Sequence, residues 1–454
     1  MSLLDQLGIT PESEHTTDTP TTPAPVQRTE SGLVIGSTRA QALYNLYTSP
    51  QNPGRGHAAV CIDAAPGSGK THEVLEMMAW LHERDPEMKL ALAVPTTAAL
   101  HTIAARLGRR IPRTKGESHV YVLRAASKDS DVDCSEVEIA RRDKIPNSVN
   151  VPIHVSTAAS FGVRGRKEGA TVYDVMFFDE AYMLTYADFC AAADSAVQVV
   201  AIGDPGQIGP VITVSDSPWA QVPDGPHRRA PEALAAKQDG SVAQLRMSNT
   251  RRLGPDSAGV VSSFYDFTLN SIRATDRIED AGVDVPEIVT HQVPQVSAPY
   301  DEELMREVAS IATSFIGATR TVGTVDEDTG VETTAEVEIT ASDIAVVAPH
   351  NVQRVQICAE LDNEDFTVGT ADALQGGQWP VVVAVDPLIG HQAASPHHLT
   401  AGRTCVMASR HSAHLSWVIP ENWRQSLADA EQEYPELGTD HSQALTFRDR
   451  LSQF

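Results

Sequence analysis

From Ser37 onward the chain alternates apolar runs of strand length with stretches of helical periodicity. TRAQALYNLY spaces its apolar residues as a helix does, and the run Ala58–Ile62 reads as a buried strand. That strand passes straight into Ala64-Ala65-Pro66-Gly67-Ser68-Gly69-Lys70-Thr71 and then into a second helical stretch, HEVLEMMAWLHE. Leu90–Val94 repeats the pattern, ending at Pro95-Thr96-Thr97 ahead of helical AALHTIAARLG. Tyr173–Phe178 ends at Asp179-Glu180, and Val197–Ile202 ends at Gly203-Asp204. Strands that alternate with helices, each closing in small or polar residues, predict an α/β unit with a parallel sheet whose working edge is at the strand C-termini.

The Pro-, Gly- and Asp-rich stretch Ser215–Gly240 reads as a surface loop or crossover. Beyond Arg252 the pattern restarts, with helical SSFYDFTLNSI and EELMREVASIATSFIG and strands at Ile344–Val347, Val368–Thr370, Val381–Val385 and Leu415–Val418. A second sheet domain follows from it. TVGTVDEDTGVETTAEVEIT alternates polar with β-branched residues around Asp328-Thr329-Gly330, which predicts a β-hairpin decorating that domain. The division expected is a disordered leader at 1–33, a first domain at 34–245, a second at 246–420 with the hairpin near 320–340, and an acidic, partly helical tail at 421–454.

A hydrophobic share of 41% over 454 residues is enough to bury the cores of two domains. The net charge of −25, from 35 basic and 60 acidic residues, excludes a protein that coats nucleic acid by bulk attraction. A local channel for one strand remains compatible with it. No run of about 18 uncharged apolar residues appears, and the first residues lack a basic start and an apolar core, so the expectation is a cytoplasmic protein without a membrane partner. Cys61, Cys134, Cys190, Cys358 and Cys405 are scattered and never in CxxC spacing, so buried thiols are expected rather than disulfides or a zinc ribbon. His391, His397 and His398 have no cysteine or carboxylate at ligand spacing and are read as a loop.

The loop from Ala64 to Thr71 has the form [A/G]xxxxGK[S/T]. In that pattern Ala65, Pro66, Gly67, Ser68 and Gly69 turn backbone N–H groups onto phosphates, Lys70 neutralises phosphate oxygens, and the Thr71 hydroxyl meets Mg²⁺. Asp179, closing a strand behind such a loop, is placed to hold the metal, and Glu180 to activate water as a general base. A carboxylate pair alone is often a helix cap; in register behind a phosphate loop it gains weight. Gln207, in Gly203-Asp204-Pro205-Gly206-Gln207, offers an amide that can sense a γ-phosphate, although this run is also a set of turn formers.

The ordered series AAPGSGKT, VPTTAAL, VSTAASFG, FFDEAY, GDPGQIGPV, TRRLGP, VAPHNVQRVQI, VGTADALQGGQW and RTCVMASRHSAHLSWV resembles the superfamily 1 helicases, and among them the 5′-to-3′ branch with the small viral RNA helicases. The resemblance runs from about Gln41 to Val418. It implies two tandem RecA-like P-loop NTPase domains with parallel sheets and short insertions, using ATP and Mg²⁺ to move along single-stranded DNA or RNA as a monomeric motor. Replication, repair or viral-type replication proteins are the partners it implies.

The resemblance also makes Gln207 the coupling residue, and Arg252 (with Arg251 as fallback) and Arg410 the arginines that reach phosphate from the second domain. Pro95, Thr96, Thr97, Ser156, Thr157, Thr370, Gln375 and Gly376 match positions facing nucleic acid or the inter-domain cleft, although each could equally cap a helix. Gln378 stands where an acidic ribose ligand is common, and Gln41 is either an adenine reader or a solvated helix residue. A nucleic-acid-stimulated NTPase that remodels complexes without unwinding, and a binding module without hydrolysis, remain alternatives.

Overall fold

The computed structural model describes residues 37–49, 56–124, 135–141, 153–165, 172–212, 217–237, 239–326, 331–391 and 394–454. The expected leader and the hairpin turn at 328–330 lie outside them. By its contacts the chain divides into two compact units. The first is Met1–Ala64, Gly69–Asp204 and Gly209–Met247; the second is Ala65–Ser68, Pro205–Ile208 and Ser248–Phe454.

The first unit is built on β1 (Ala59–Ala64), β2 (Leu90–Val94), β3 (Val120–Arg124), β4 (Val137–Arg141), β5 (Ile153–Thr157), β6 (Tyr173–Phe178), β7 (Ala196–Gly203) and β8 (Val242–Met247). They lie in the order β4-β3-β5-β2-β6-β7-β1-β8, with every neighbouring pair parallel. Along β1, Val60, Ile62 and Ala64 enter the core under helices Lys70–Arg84 and Thr97–Arg110, while Ala59 and Cys61 enter the opposite core under Ala158–Gly165, Tyr186–Ala193 and Ala230–Ala235. Both sheet faces are therefore covered, which is why the central strands read as unbroken apolar runs. The architecture is α/β and RecA-like. β4 (VEIAR) and β8 (VAQLRM) carry polar residues because they are the two edges of the sheet, and their pattern went unrecognised for the same reason.

The second unit carries β13 (Ile288–Val293), β16 (Ile344–Val347), β17 (Thr367–Gly369), β18 (Trp379–Val385) and β19 (His411–Pro420) in a parallel sheet ordered β13-β19-β18-β16-β17. A separate antiparallel sheet, β12-β11-β14-β15, is made by β11 (Asp276–Asp280), β12 (Val283–Val285), β14 (Thr319–Val325) and β15 (Glu332–Glu338). Every residue of β15 is exposed. Short β9 (Asn249–Thr250) and β10 (Asn270–Ser271) pair with each other in parallel.

Three sequence expectations are corrected. SSFYDFTLNSI is not a helix: the helix Pro255–Val261 gives way to a single turn at Ser262–Phe264, and Ser262 Oγ accepts from Leu269 N at 2.9 Å, which ends it. The stretch 215–240 contains a helix, Ala230–Ala235, started by Pro231 in its first turn and burying Ala230, Ala233 and Leu234. In the stretch 421–454, expected to be partly helical, helices Trp423–Glu433 and Gly438–Leu451 put Trp423, Leu427, Phe447 and Leu451 into the core of the second unit. Finally, Cys61 and Cys405 are buried but Cys190 and Cys358 are exposed.

The helix Gly438–Leu451 is tied down by an ion pair with no exposed side-chain surface on either partner. Arg448 Nη2 and Nε donate to Asp386 Oδ1 and Oδ2 at 2.9 and 3.0 Å, and Trp417 Nε1 donates to Asp386 Oδ2 at 2.9 Å. Removing the cation strands a buried carboxylate, which costs more than the pair itself contributes. Arg448→Met should therefore destabilise the second unit by about 3–5 kcal/mol, seen as a lower urea midpoint by tryptophan fluorescence. An unchanged midpoint would mean that Asp386 is not left isolated.

Candidate functional site

The first unit's chemistry gathers where β6, β7 and β1, neighbours in the sheet, end together. β1 delivers the glycine loop. Gly69 has φ +89 and Gly67 φ +74, left-handed values that glycine adopts without a Cβ penalty. From Gly69 the helix Lys70–Arg84 starts directly, with no side-chain cap, so its first N–H groups have no capping side chain.

Thr71 Oγ1 donates to Asp179 Oδ2 at 2.8 Å, and the Glu180 amide donates to Asp179 Oδ1 at 3.1 Å. Lys70 Nζ lies 3.6 Å from Glu180 Oε1 and 4.0 Å from Asp204 Oδ2. Asp179 is 2% exposed. Burial, and then the neighbouring Glu180 carboxylate, push its pKa up to about 6 against the opposing pull of Thr71 and Lys70. A buried acid held that far above the usual carboxylate range is short of positive charge. A hydroxyl and a carboxylate oxygen at hydrogen-bond distance form the donor set that a hard divalent cation takes.

Glu180 is a non-glycine residue at φ +53, ψ +43, a conformation that costs about 1–2 kcal/mol for an L-residue. The turn is kept by Met183 N to Glu180 O at 2.9 Å and Leu184 N to Ala181 O at 3.1 Å. On the same unit, Arg39 chelates Glu73 of the first helical turn after the loop, at 2.7 and 3.2 Å, and so docks the helix Thr38–Tyr47 that carries half-buried Gln41.

Residues 65–68 and 205–208 cluster with the second unit. Thr250 Oγ1 donates to Pro66 O at 2.7 Å, and Arg251 N donates to Gly67 O at 3.0 Å. Gly67 is held so closely that a Cβ there would lie 2.4 Å from Arg252 Cβ. Ser68 Oγ is buried without a hydrogen-bond partner, an orphaned donor in the glycine loop. Gln207 is buried, and Gln375 Nε2 donates to its Oε1 at 3.5 Å.

Arg252 Nε donates to Gln378 Oε1 and its Nη1 to Ser409 O, both at 3.0 Å, from a partly exposed position. Arg251 is exposed. Arg410 is 1% exposed; its Nε donates to Val406 O at 3.1 Å and its Nη2 to Ser409 Oγ at 3.1 Å.

Of the small-residue positions, Thr96 and Thr370 accept from Ala99 N and Ala373 N as helix caps, and Thr157 Oγ1 accepts from Ser160 N. Pro95 is half-buried, while Thr97 and Gly376 are exposed. Ser156 is corrected. It is 1% exposed and donates to Leu123 O at 2.8 Å, so its hydroxyl is spent inside the sheet. Asp63, Tyr182, Asp204 and Thr250 escaped sequence reasoning. The signal for Asp63 was a lone carboxylate in the otherwise apolar strand AVCIDA.

His350 was missed too, and the fold brings it to His391 and His398, with ligand atoms all within 4.8 Å of one another. The hydrogen bonds argue against a metal centre. Ser395 N donates to His398 Nδ1 at 3.1 Å, so a neutral His398 carries its proton on Nε2 and has no lone pair left for a cation. Metal-bound imidazoles instead donate their second nitrogen outward. His350 Nε2 and His391 Nε2 lie 3.0 Å apart, within hydrogen-bond distance of each other when one neutral ring donates and the other accepts. Burial pushes His350 down to about 4 and His398 down to about 3, with their neighbouring imidazoles adding to the shift.

Residues 115–236, spanning Asp179, Glu180 and Gln207, match the family model of the viral superfamily 1 RNA helicase core domain. No curated protein matches by sequence. Among solved structures, arterivirus nonstructural protein 10, a helicase, is 17% identical over 80% of this chain and 60% of that one, with a TM-score of 0.44. The PRRSV helicase is 15% identical over 80% of this chain and 52% of that one, with a TM-score of 0.39. The arterivirus protein in complex with DNA is 16% identical over 92% and 79%, with a TM-score of 0.43. The chain thus spans less than two thirds of the first two. The resemblance to viral-type superfamily 1 helicases holds. Among the described residues, no helix is long and apolar enough to cross a membrane.

The imidazoles give a pH prediction. His350, His391, His398 and His414 all have folded pKa values below the ordinary 6.5. Above 6.5 both states are neutral and the fold is at full stability; between 6.5 and about 4 only the unfolded state takes up protons, so stability is lost as pH falls. Urea midpoints of the second unit should drop from pH 7.5 to 5, and drop less in His350→Gln/His398→Gln. Parallel pH profiles for the two proteins would contradict the assignment.

Proposed function

We propose, on the premise of this viral superfamily 1 resemblance, that the chain is an ATP-driven helicase or translocase acting on single-stranded DNA or RNA. The observation that carries the reading is the pairing of Thr71 Oγ1 with a buried, charge-starved Asp179 beside Lys70. Orphaned Ser68 and the left-handed glycines around it fit a loop made for phosphate. In this reading Thr71 and Asp179 would hold Mg²⁺, which when bound supplies positive charge to the phosphate oxygens. Lys70 neutralises those oxygens, and Glu180, fixed by its strained turn, takes a proton from the attacking water.

Gln207 is the proposed phosphate sensor, with Gln41 and Gln378 as candidate contacts to base and ribose. Of the two arginine candidates, Arg252 is favoured over Arg410, because its guanidinium is partly exposed while that of Arg410 is buried among carbonyls. Thr96, Thr97, Thr157, Thr370, Gln375 and Gly376, with Pro95, are the remaining candidates to hold the strand. Small polar groups of this kind grip a backbone without reading sequence.

ATPase rates with and without single-stranded DNA and RNA test the reading. Stimulation by at least one strand is expected, and its absence for both would leave no motor. Lys70→Ala should abolish turnover. Glu180→Gln should bind ATP yet turn over at least about a hundredfold more slowly. Arg252→Ala should lower kcat by about 10³-fold with little change in KM. Stimulation without displacement of 5′- or 3′-tailed duplexes would identify a remodelling NTPase instead.

A further inference from the structure

The ends of β6 and β1 are not neighbours; β7 lies between them. One side chain crosses the gap. Tyr182, two residues after Glu180, donates its hydroxyl to Asp63 Oδ1 at 2.7 Å. Asp63 is paired in register with Gly203 at the end of β7, so the bond passes over that glycine. A Cβ on Gly203 would sit 3.0 Å from Ala181 N, Tyr182 N and Tyr182 Cδ2, a tighter contact than most real Cβ atoms make. Glycine there leaves the turn room to lie close across the strand. The Tyr182 ring is 6% exposed, with the Arg229 guanidinium 6.0 Å from its centroid. Burial and the Asp63 carboxylate push the phenol pKa up, so it stays a donor.

We propose that Tyr182 is a positioning residue: its bond to Asp63 clamps the turn after β6 to the root of the phosphate loop and holds the left-handed Glu180 with its carboxylate beside Lys70. The proposal rests on the reading of Glu180 as the general base. Its physical content is geometric. Glu180 sits in a conformation that its own backbone disfavours, and the two main-chain bonds that follow close the turn without orienting it against the sheet. Asp179 N to Ala93 O and Ala230 N to Leu184 O, both at 3.0 Å, hold the two ends of the turn, and the Tyr182 hydroxyl adds an anchor between them on the strand that also delivers Lys70. A general base displaced by even a fraction of an ångström loses its advantage steeply.

The test is Tyr182→Phe in the full chain, with two readouts. Amide hydrogen exchange over 179–184 should rise about tenfold or more while exchange elsewhere in the unit and the thermal midpoint stay put. Nucleic-acid-stimulated ATPase should lose about tenfold in kcat, with KM for ATP within about twofold. Asp63→Asn, whose amide oxygen still accepts from the phenol, should keep near wild-type kcat, and Asp63→Ala should copy Tyr182→Phe. Unchanged exchange and kcat in Tyr182→Phe would overturn the clamp. So would a general loss of stability with kcat and KM impaired together, since that is the signature of a merely structural side chain. If the wild type does not hydrolyse ATP, the proposed function fails, and the exchange readout still decides the clamp.

Discussion

A buried carboxylate short of positive charge dominates the first unit. Asp179 has one hydroxyl, one amide and a lysine nearby, and these do not offset the desolvation it suffers or the repulsion from Glu180. Such a group destabilises the fold that contains it, and it persists only where three parallel strands end together and the surrounding core over-determines its place. Both sheet faces are covered around that acid, with β7 ending in a glycine beside it and the left-handed turn at Glu180 following it. Stability is given up locally, and the two hydrophobic clusters on either side of the sheet supply it.

How much of this was legible depended on whether a residue's role is local. The strand, loop and helix around Lys70 could be read because strand period, left-handed glycines and helix start sit within fifteen residues or so. Asp179 could be read because it closes an apolar strand. Asp63 and Tyr182 could not be linked, because they are 119 positions apart and meet only through a sheet order in which β7 comes between them. His350 was invisible for the same reason: it caps the helix Asn351–Leu361 after β16, while His391 and His398 follow β18. Ser156 misled in the opposite direction. A hydroxyl near a strand end reads as available, but whether it faces out or bonds the next strand depends on a neighbour that the local pattern does not name.

Edges and exceptions explain the remaining differences. β4 and β8 carry charge because one side of each is open, and a period-two apolar signal fades there. The apparent helix at 262–272 broke because a serine hydroxyl competed successfully for a backbone amide. The helical part of 421–454 was legible, but that its apolar stripes join the core of the second unit was not.

The ion pair between Arg448 and Asp386 also has a consequence for biosynthesis. Asp386 follows the central strand β18 of its sheet, yet its partner is made 62 residues later. The first unit has nearly all of its strands and both cores once residue 247 has left the ribosome, so it can fold while the rest is being made. The second cannot, because until residue 448 emerges it must hold an unpaired charge and an open apolar face. During synthesis that half of the molecule is the one exposed to chaperones, proteases and mispairing.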